Sequence, residues 1–220
     1  MVNMNNTLLY EGNKFKYKPG HILVNRELVR YKLVANYFKR GNLLDVGCRS
    51  GKFKEFLPKD IEYYGLDFIE EHKNYIHNFF GIDVSKTKVP VEDNFFDNIH
   101  LGEVLEHISN FYFVFEEMYR ILKPGGTLVL TVPNNFHIAQ AIGIIRYKRY
   151  KKKNLDIKNV VNSDTHIHSF YEPDLLKISQ LIGFKPIDCD RFYNFFGKHK
   201  LPESVIFKPF AKFLLYAISK

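Results

Sequence analysis

The sequence predicts a doubly wound α/β fold, a largely parallel sheet with helices on both faces, and three observations carry that expectation. From Leu43 onward, strand-like apolar runs alternate with segments of helical period, which implies right-handed crossovers and parallel pairing. Acidic residues, Asp45, Asp67 and Asp83, stand at or just before the ends of the first three runs, where ligands gather in sheets of this kind. A turn punctuated by Gly47 and Gly51 follows the first run directly and lets backbone approach a ligand where a side chain would collide.

Taken in order, residues Met1 to Pro19 carry little periodic pattern and are expected to lie as an arm over the domain. Between Asn25 and Arg40, Leu28, Val29, Leu33, Val34, Tyr37 and Phe38 recur at helical spacing with charges between them, so a helix is expected there. Gly41-Asn42 stops it, making residues 1–41 an N-terminal arm and helix. The first strand is expected at Leu43 to Val46, a helix at Lys52 to Leu57, a second strand at Ile61 to Leu66, a helix at Glu70 to Phe79 and a short third strand at Gly81 to Val84. Next come a strand at Asn98 to Leu101, a helix over Phe111 to Leu122 and a strand at Thr127 to Val132. Residues 133–169 break the rhythm. They begin Pro-Asn-Asn, include the apolar Ile138, Ala141, Ile142 and Ile145, and then run basic from Arg146 to Lys153. A helix at Pro173 to Ile182 with Gly183 as its C-cap, a strand at Phe184 to Cys189 and a last strand at Ala211 to Ile218 complete the reading.

At 220 residues the chain is expected to be one domain with a core of its own. With 45% hydrophobic and 25% charged residues it has the composition of an ordered soluble enzyme. The 21 Phe and 14 Tyr, without Trp, are expected mainly to fill the core. Two cysteines, Cys48 and Cys189, make a disulfide framework improbable and point to a reducing cytoplasm. The N-terminus lacks the order of a signal peptide, and no run reaches the roughly 18 apolar residues of a membrane span. A net charge of +8 suits an anionic partner or simple solubility.

The spacing from Asp45 to Asp67 is close to the roughly 20 residues at which a carboxylate reaches ribose hydroxyls in nucleotide-binding folds. At this point the chain resembles the class I S-adenosylmethionine-dependent methyltransferases, of the type 11 and type 12 kind, from about Leu43 to Ile187. Leu43-Leu44-Asp45-Val46-Gly47-Cys48-Arg49-Ser50-Gly51 is similar to the cofactor loop, with Arg49 where the family usually has glycine. Tyr64-Gly65-Leu66-Asp67 is similar to the ribose-binding strand end, and Asp83-Val84 to the pair beside the adenine. Phe95 to Ile99, leading into Leu101-Gly102-Glu103-Val104-Leu105-Glu106-His107, resembles the fourth strand and the turn after it. Arg120 to Leu128 resembles the approach to the fifth strand. The resemblance implies a Rossmann-like seven-stranded sheet of order 3-2-1-4-5-7-6. It also implies S-adenosylmethionine as cofactor and a cofactor-binding set of Asp45, Gly47, Cys48, Gly51, Asp67, Phe68, Asp83, Val84 and Leu101. Within that set, Asp45 is expected to order the loop through its backbone N–H groups, and residues 133–169 to cap the acceptor site.

Glu103, Glu106 and His107 share one face if a helix begins there, and two carboxylates with an imidazole suit a hard divalent ion. Glu-x-x-Glu-His with a later histidine is similar to the metal site of small-RNA 2′-O-methyltransferases, which makes Glu103, Glu106, His107 and His166 candidate ligands for Mg²⁺ or Mn²⁺; His168 is the runner-up for the last. His107 and His166 are also candidate general bases, since a hydroxyl acceptor must lose a proton as the methyl moves. O-methylation of a small or glycan-type hydroxyl is the expected reaction. The alternatives are an RNA ribose hydroxyl, a polyprenyl-linked phenol, and a non-catalytic scaffold of the same fold. Arg146 to Lys153, interleaved by Tyr147 and Tyr150, offers a surface for RNA or for a membrane-bound lipid acceptor. The oligomeric state is left open.

Overall fold

The structure, a computed structural model, describes residues 9–11, 14–16, 26–133, 167–193 and 211–220. Within the segment expected to be an arm, β1 (Leu9–Glu11) and β2 (Lys14–Lys16) pair antiparallel as a two-stranded hairpin. The following helix, α1 (Arg26–Ala35), stops short of Arg40. The N–H groups of Asn36, Tyr37 and Phe38 each reach back three residues rather than four, which tightens the last turn and ends it.

Seven strands form the main sheet: β3 (Gly41–Val46), β4 (Ile61–Asp67), β5 (Asn78–Gly81), β6 (Phe96–Gly102), β7 (Leu122–Pro133), β8 (Lys185–Tyr193) and β9 (Ala211–Ser219). Their order is β5-β4-β3-β6-β7-β9-β8. Counted from β3, this is the expected 3-2-1-4-5-7-6. The first five are parallel, and β9 runs antiparallel between β7 and β8.

Alternation along the strands splits the core into two clusters, as the period of two requires. Leu44, Val46, Ile99, Leu101, Leu128 and Leu130 pack with α2 (Phe111–Ile121) and α3 (Glu172–Ile182). Leu43, Val129, Leu215 and Ala217 face the other way, onto Tyr31, Val34, Phe38 and Phe53. Asn110 caps α2 by accepting the Phe113 N–H, and Gly183, at φ 112°, ends α3 as expected. No helix among the described residues is long and apolar enough to cross a membrane.

Two expected helices are not α-helices. Lys52 to Leu57 is a 3₁₀ turn, Lys52–Phe56, which inserts Phe53 into the core. Glu70 to Phe79 is a 3₁₀ turn over Glu70–Tyr75, after which β5 starts at Asn78. The third strand therefore lies three residues earlier than Gly81 to Val84, because Asn78, Phe79 and Phe80 pair with Tyr64, Gly65 and Leu66. Residues 84–95 then cross to β6 and are clamped to α2. Arg120 donates to the carbonyls of Val89 and Val91 and to Asp93 and Glu117, while the buried Glu117 accepts the Val89 N–H at 2.8 Å.

Candidate active site

The C-terminal ends of β3, β4 and β6 meet the turn Gly47–Gly51 at one edge of the sheet. The N–H groups of Gly47 and Cys48 both donate to the Leu66 carbonyl, so the turn stays tied to β4 as it leaves β3. Gly47 has φ 72°, and a Cβ there would lie 2.5 Å from Val104 Cγ2. Only glycine fits that close approach. Arg49 holds a left-handed φ of 49° without that freedom, at a cost of order 1–3 kcal/mol. Its N–H donates to Asp67 Oδ2 at 3.0 Å, one of the bonds that keep it there.

Beneath the turn, Asp45 is nearly fully buried. Tyr63 donates its hydroxyl to Oδ2 at 2.5 Å, and His100 Nδ1 lies 2.7 Å from Oδ1. These two side chains hold the carboxylate, where loop N–H groups were expected; Asp45 points down between β4 and β6 rather than up into the turn. Burial, and then the Asp45 charge, push the Tyr63 hydroxyl far above its ordinary pKa. Gly102 follows from the same packing, since a Cβ there would meet the His100 ring at 2.6 Å.

Asp67 ends β4 with both oxygens engaged: Oδ1 accepts the Ile69 N–H at 3.0 Å, and Oδ2 accepts Arg49 N–H and faces His72 Nδ1 at 3.1 Å. The next residue, Phe68, is 73% exposed, a large apolar ring left uncovered beside the carboxylate. Asp83 organises a turn, accepting the N–H and hydroxyl of Ser85 on Oδ1 and pairing with Lys86 through Oδ2 at 2.7 Å. Cys48, Val84 and Leu101 are buried, Val84 and Leu101 on the α2 face.

The Glu103 cluster departs furthest from expectation. Glu103 takes a left-handed φ of 58° and donates its N–H to the Thr131 carbonyl, and only a 3₁₀ turn, Leu105–His107, follows. A 3₁₀ turn after a left-handed residue does not put positions 103, 106 and 107 on one helical face. Among the described residues no group of three potential ligands converges on a metal. Arg30, from α1, instead sets Nη1 3.7 Å from Glu103 Oε1, a cation beside the place a divalent ion was expected. Arg30 Nε and Glu103 Oε1 are both buried and find no hydrogen-bond partner among the described residues. Burial pushes the Glu103 carboxyl up, with Arg30 pulling it back. Burial and then the Glu103 charge push Glu106 up to about 8. His107, one-third exposed, brings Nε2 to 4.0 Å from Glu106 Oε1. His166 and the run Arg146 to Lys153 lie outside the described residues. His168 is described: its N–H and that of Ile167 donate to the Glu106 carbonyl, and its ring packs edge-on against Phe111.

Arg30, His72, His100 and Thr131 belong to this edge and were not singled out from sequence. The one signal for Arg30 was a cation inside the apolar run Leu28-Val29-Arg30-Tyr31.

Residues 24–188 match the family described as Methyltransferase domain. The chain is 26% identical over 164 residues to the mitochondrial ubiquinone biosynthesis O-methyltransferase of Mus musculus, covering 64% of this chain and 42% of that protein. It is 32% identical over 103 residues to demethylmenaquinone methyltransferase of Listeria welshimeri, covering 41% of this chain and 44% of that one. The chain thus spans less than half the length of these curated relatives. Its fold matches a SAM-dependent methyltransferase from Archaeoglobus fulgidus with a TM-score of 0.66 at 20% identity, over 89% of this chain and 95% of that one. With three-quarters of its length inside the family match and the family's strand order in its sheet, the chain belongs to the class I S-adenosylmethionine-dependent methyltransferases.

Proposed function

We propose that the protein methylates a hydroxyl oxygen of a small-molecule or glycan-type acceptor. The observation that carries this reading is the pairing of His107 with the buried Glu106 at the end of β6, beside the cofactor edge. A carboxyl group next to a partly exposed imidazole suits the removal of one proton from an alcohol or phenol. The murine relative is an O-methyltransferase of ubiquinone biosynthesis, which favours oxygen, and a phenolic ring in a quinone precursor is the second reading.

The chain's residues fit the cofactor. Asp67 has the chemistry to accept from a vicinal diol, and Phe68 offers an uncovered apolar face beside it. The half-satisfied pair Arg30 and Glu103 suits an amino-acid zwitterion, the guanidinium toward a carboxylate and the carboxyl toward an ammonium. When bound, S-adenosylmethionine supplies an activated methyl group on sulfur. The protein's task is then to hold the acceptor oxygen in line, to keep water out, and to take the proton at His107.

Titration calorimetry with S-adenosylhomocysteine, in EDTA, tests the cofactor half. Asp67→Ala should weaken binding by roughly tenfold to a hundredfold, the worth of hydrogen bonds to a charged group. Unchanged affinity would remove Asp67 from the ribose. Affinity that appears only after magnesium or manganese is added would return Glu106 and His107 to the metal-ligand role.

A further inference from the structure

We propose that His72 is a positioning residue of the cofactor site: it fixes the Asp67 carboxylate in the orientation from which that group reads the ribose diol. The inference rests on the ribose role given to Asp67 above. His72 lies on the 3₁₀ turn after β4, with Nδ1 3.1 Å from Asp67 Oδ2. That nitrogen is shielded from solvent, and among the described residues it has no hydrogen-bond partner, because its approach to Oδ2 is out of line. It therefore acts as a polar wall against the carboxylate.

The carboxylate needs such a wall. The terminal torsion of an aspartate is broad and roughly two-fold, so the group turns freely unless its oxygens are held. An ionised carboxylate has about four acceptor sites. Ile69 N–H fills one on Oδ1, Arg49 N–H fills one on Oδ2, and His72 closes a further side of Oδ2. That leaves one acceptor site, on Oδ1, open to a ligand hydroxyl.

A purely structural role fits His72 poorly. The turn Glu70–Tyr75 buries none of its residues, and His72 is the single member that turns inward while the other five are exposed. Its short inward approach is to Asp67.

The test is competition by adenosine and by 2′,3′-dideoxyadenosine against labelled S-adenosylhomocysteine on wild type, His72→Ala, His72→Asn and Asp67→Asn, with the thermal midpoint of each measured alongside. The preference for adenosine over the dideoxy compound reports the diol. His72→Ala should lower that preference about fivefold to tenfold at an unchanged midpoint, the worth of about one hydrogen bond. His72→Asn, which keeps a polar group near the Nδ1 position, should restore most of it. If His72→Ala keeps the wild-type preference while Asp67→Asn loses it, the inference fails and the ribose reading stands. If Asp67→Asn also keeps the preference, the ribose reading fails first. Equal weakening of both nucleosides by His72→Ala would make the residue a support of the turn and overturn the proposal.

Discussion

Glu106 carries a carboxyl pushed up to about 8, first by burial and then by the neighbouring Glu103 charge. An acid whose folded pKa lies above its unfolded value binds more protons when folded, so its contribution to stability is full below about pH 4.5 and is lost as pH rises through about 8. The neutral isostere Glu106→Gln has no such proton to lose. Melting curves from pH 5 to 9 should show the wild type losing stability relative to Glu106→Gln by several degrees, at about 2–4 °C per kcal/mol for a domain of this size. Parallel curves would show that Glu106 ionises normally. At this scale the sequence was legible for place along the chain: Asp67 at a strand end and Gly47 in the turn after β3 stand where expected, since strand, turn and spacing are local. It was illegible where the role is a contact between distant segments. Nothing local in the sequence pairs Arg30 with Glu103, or turns Asp45 down onto Tyr63 and His100.

Among the elements, α2 does more than cover the sheet, because it anchors the crossover that follows Asp83. Arg120 spends its guanidinium on two carbonyls and two carboxylates, and Glu117 is left almost without solvent. Removing one partner of such a pair strands the other, at a cost of about 3–5 kcal/mol. Arg120→Met should therefore lower the thermal midpoint by roughly 10 °C and open residues 89–93 to limited proteolysis. A midpoint within about 2 °C of wild type would reduce the clamp to a surface pair. The strands β3, β4, β6 and β7 and the helices α2 and α3 were readable because each carries a long periodic apolar pattern. The segments at Lys52 and Glu70 were misread as helices for a physical reason: each is one short turn between strands, too brief for periodicity to separate 3₁₀ from α. The single helical face expected for Glu103, Glu106 and His107 was misread with them, because Glu103 turns left-handed and a 3₁₀ turn follows.

For the molecule as a whole, strand order followed from the family resemblance and was met in full, including the antiparallel strand between β7 and β8. That strand bears on how the sheet comes together. β3 and β4 pair Gly41 with Ile61 across one short crossover, whereas β7 pairs Thr127 with Ser219, and residues 134–210 lie between those two strands. Closing the longer loop costs more entropy before any contact repays it. The sheet should therefore behave as two cooperative units, an early one that carries the cofactor edge and a late one completed by β9. Native-state hydrogen exchange checks this: saturating S-adenosylhomocysteine should slow the amides of Leu43–Val46 and Ile61–Asp67 more than those of Ala211–Ser219. Equal slowing across all seven strands would mean one unit. If there are two, the protein can hold its cofactor while the half of the sheet away from it opens and closes, so a partly unfolded population in the cell would still be a loaded one.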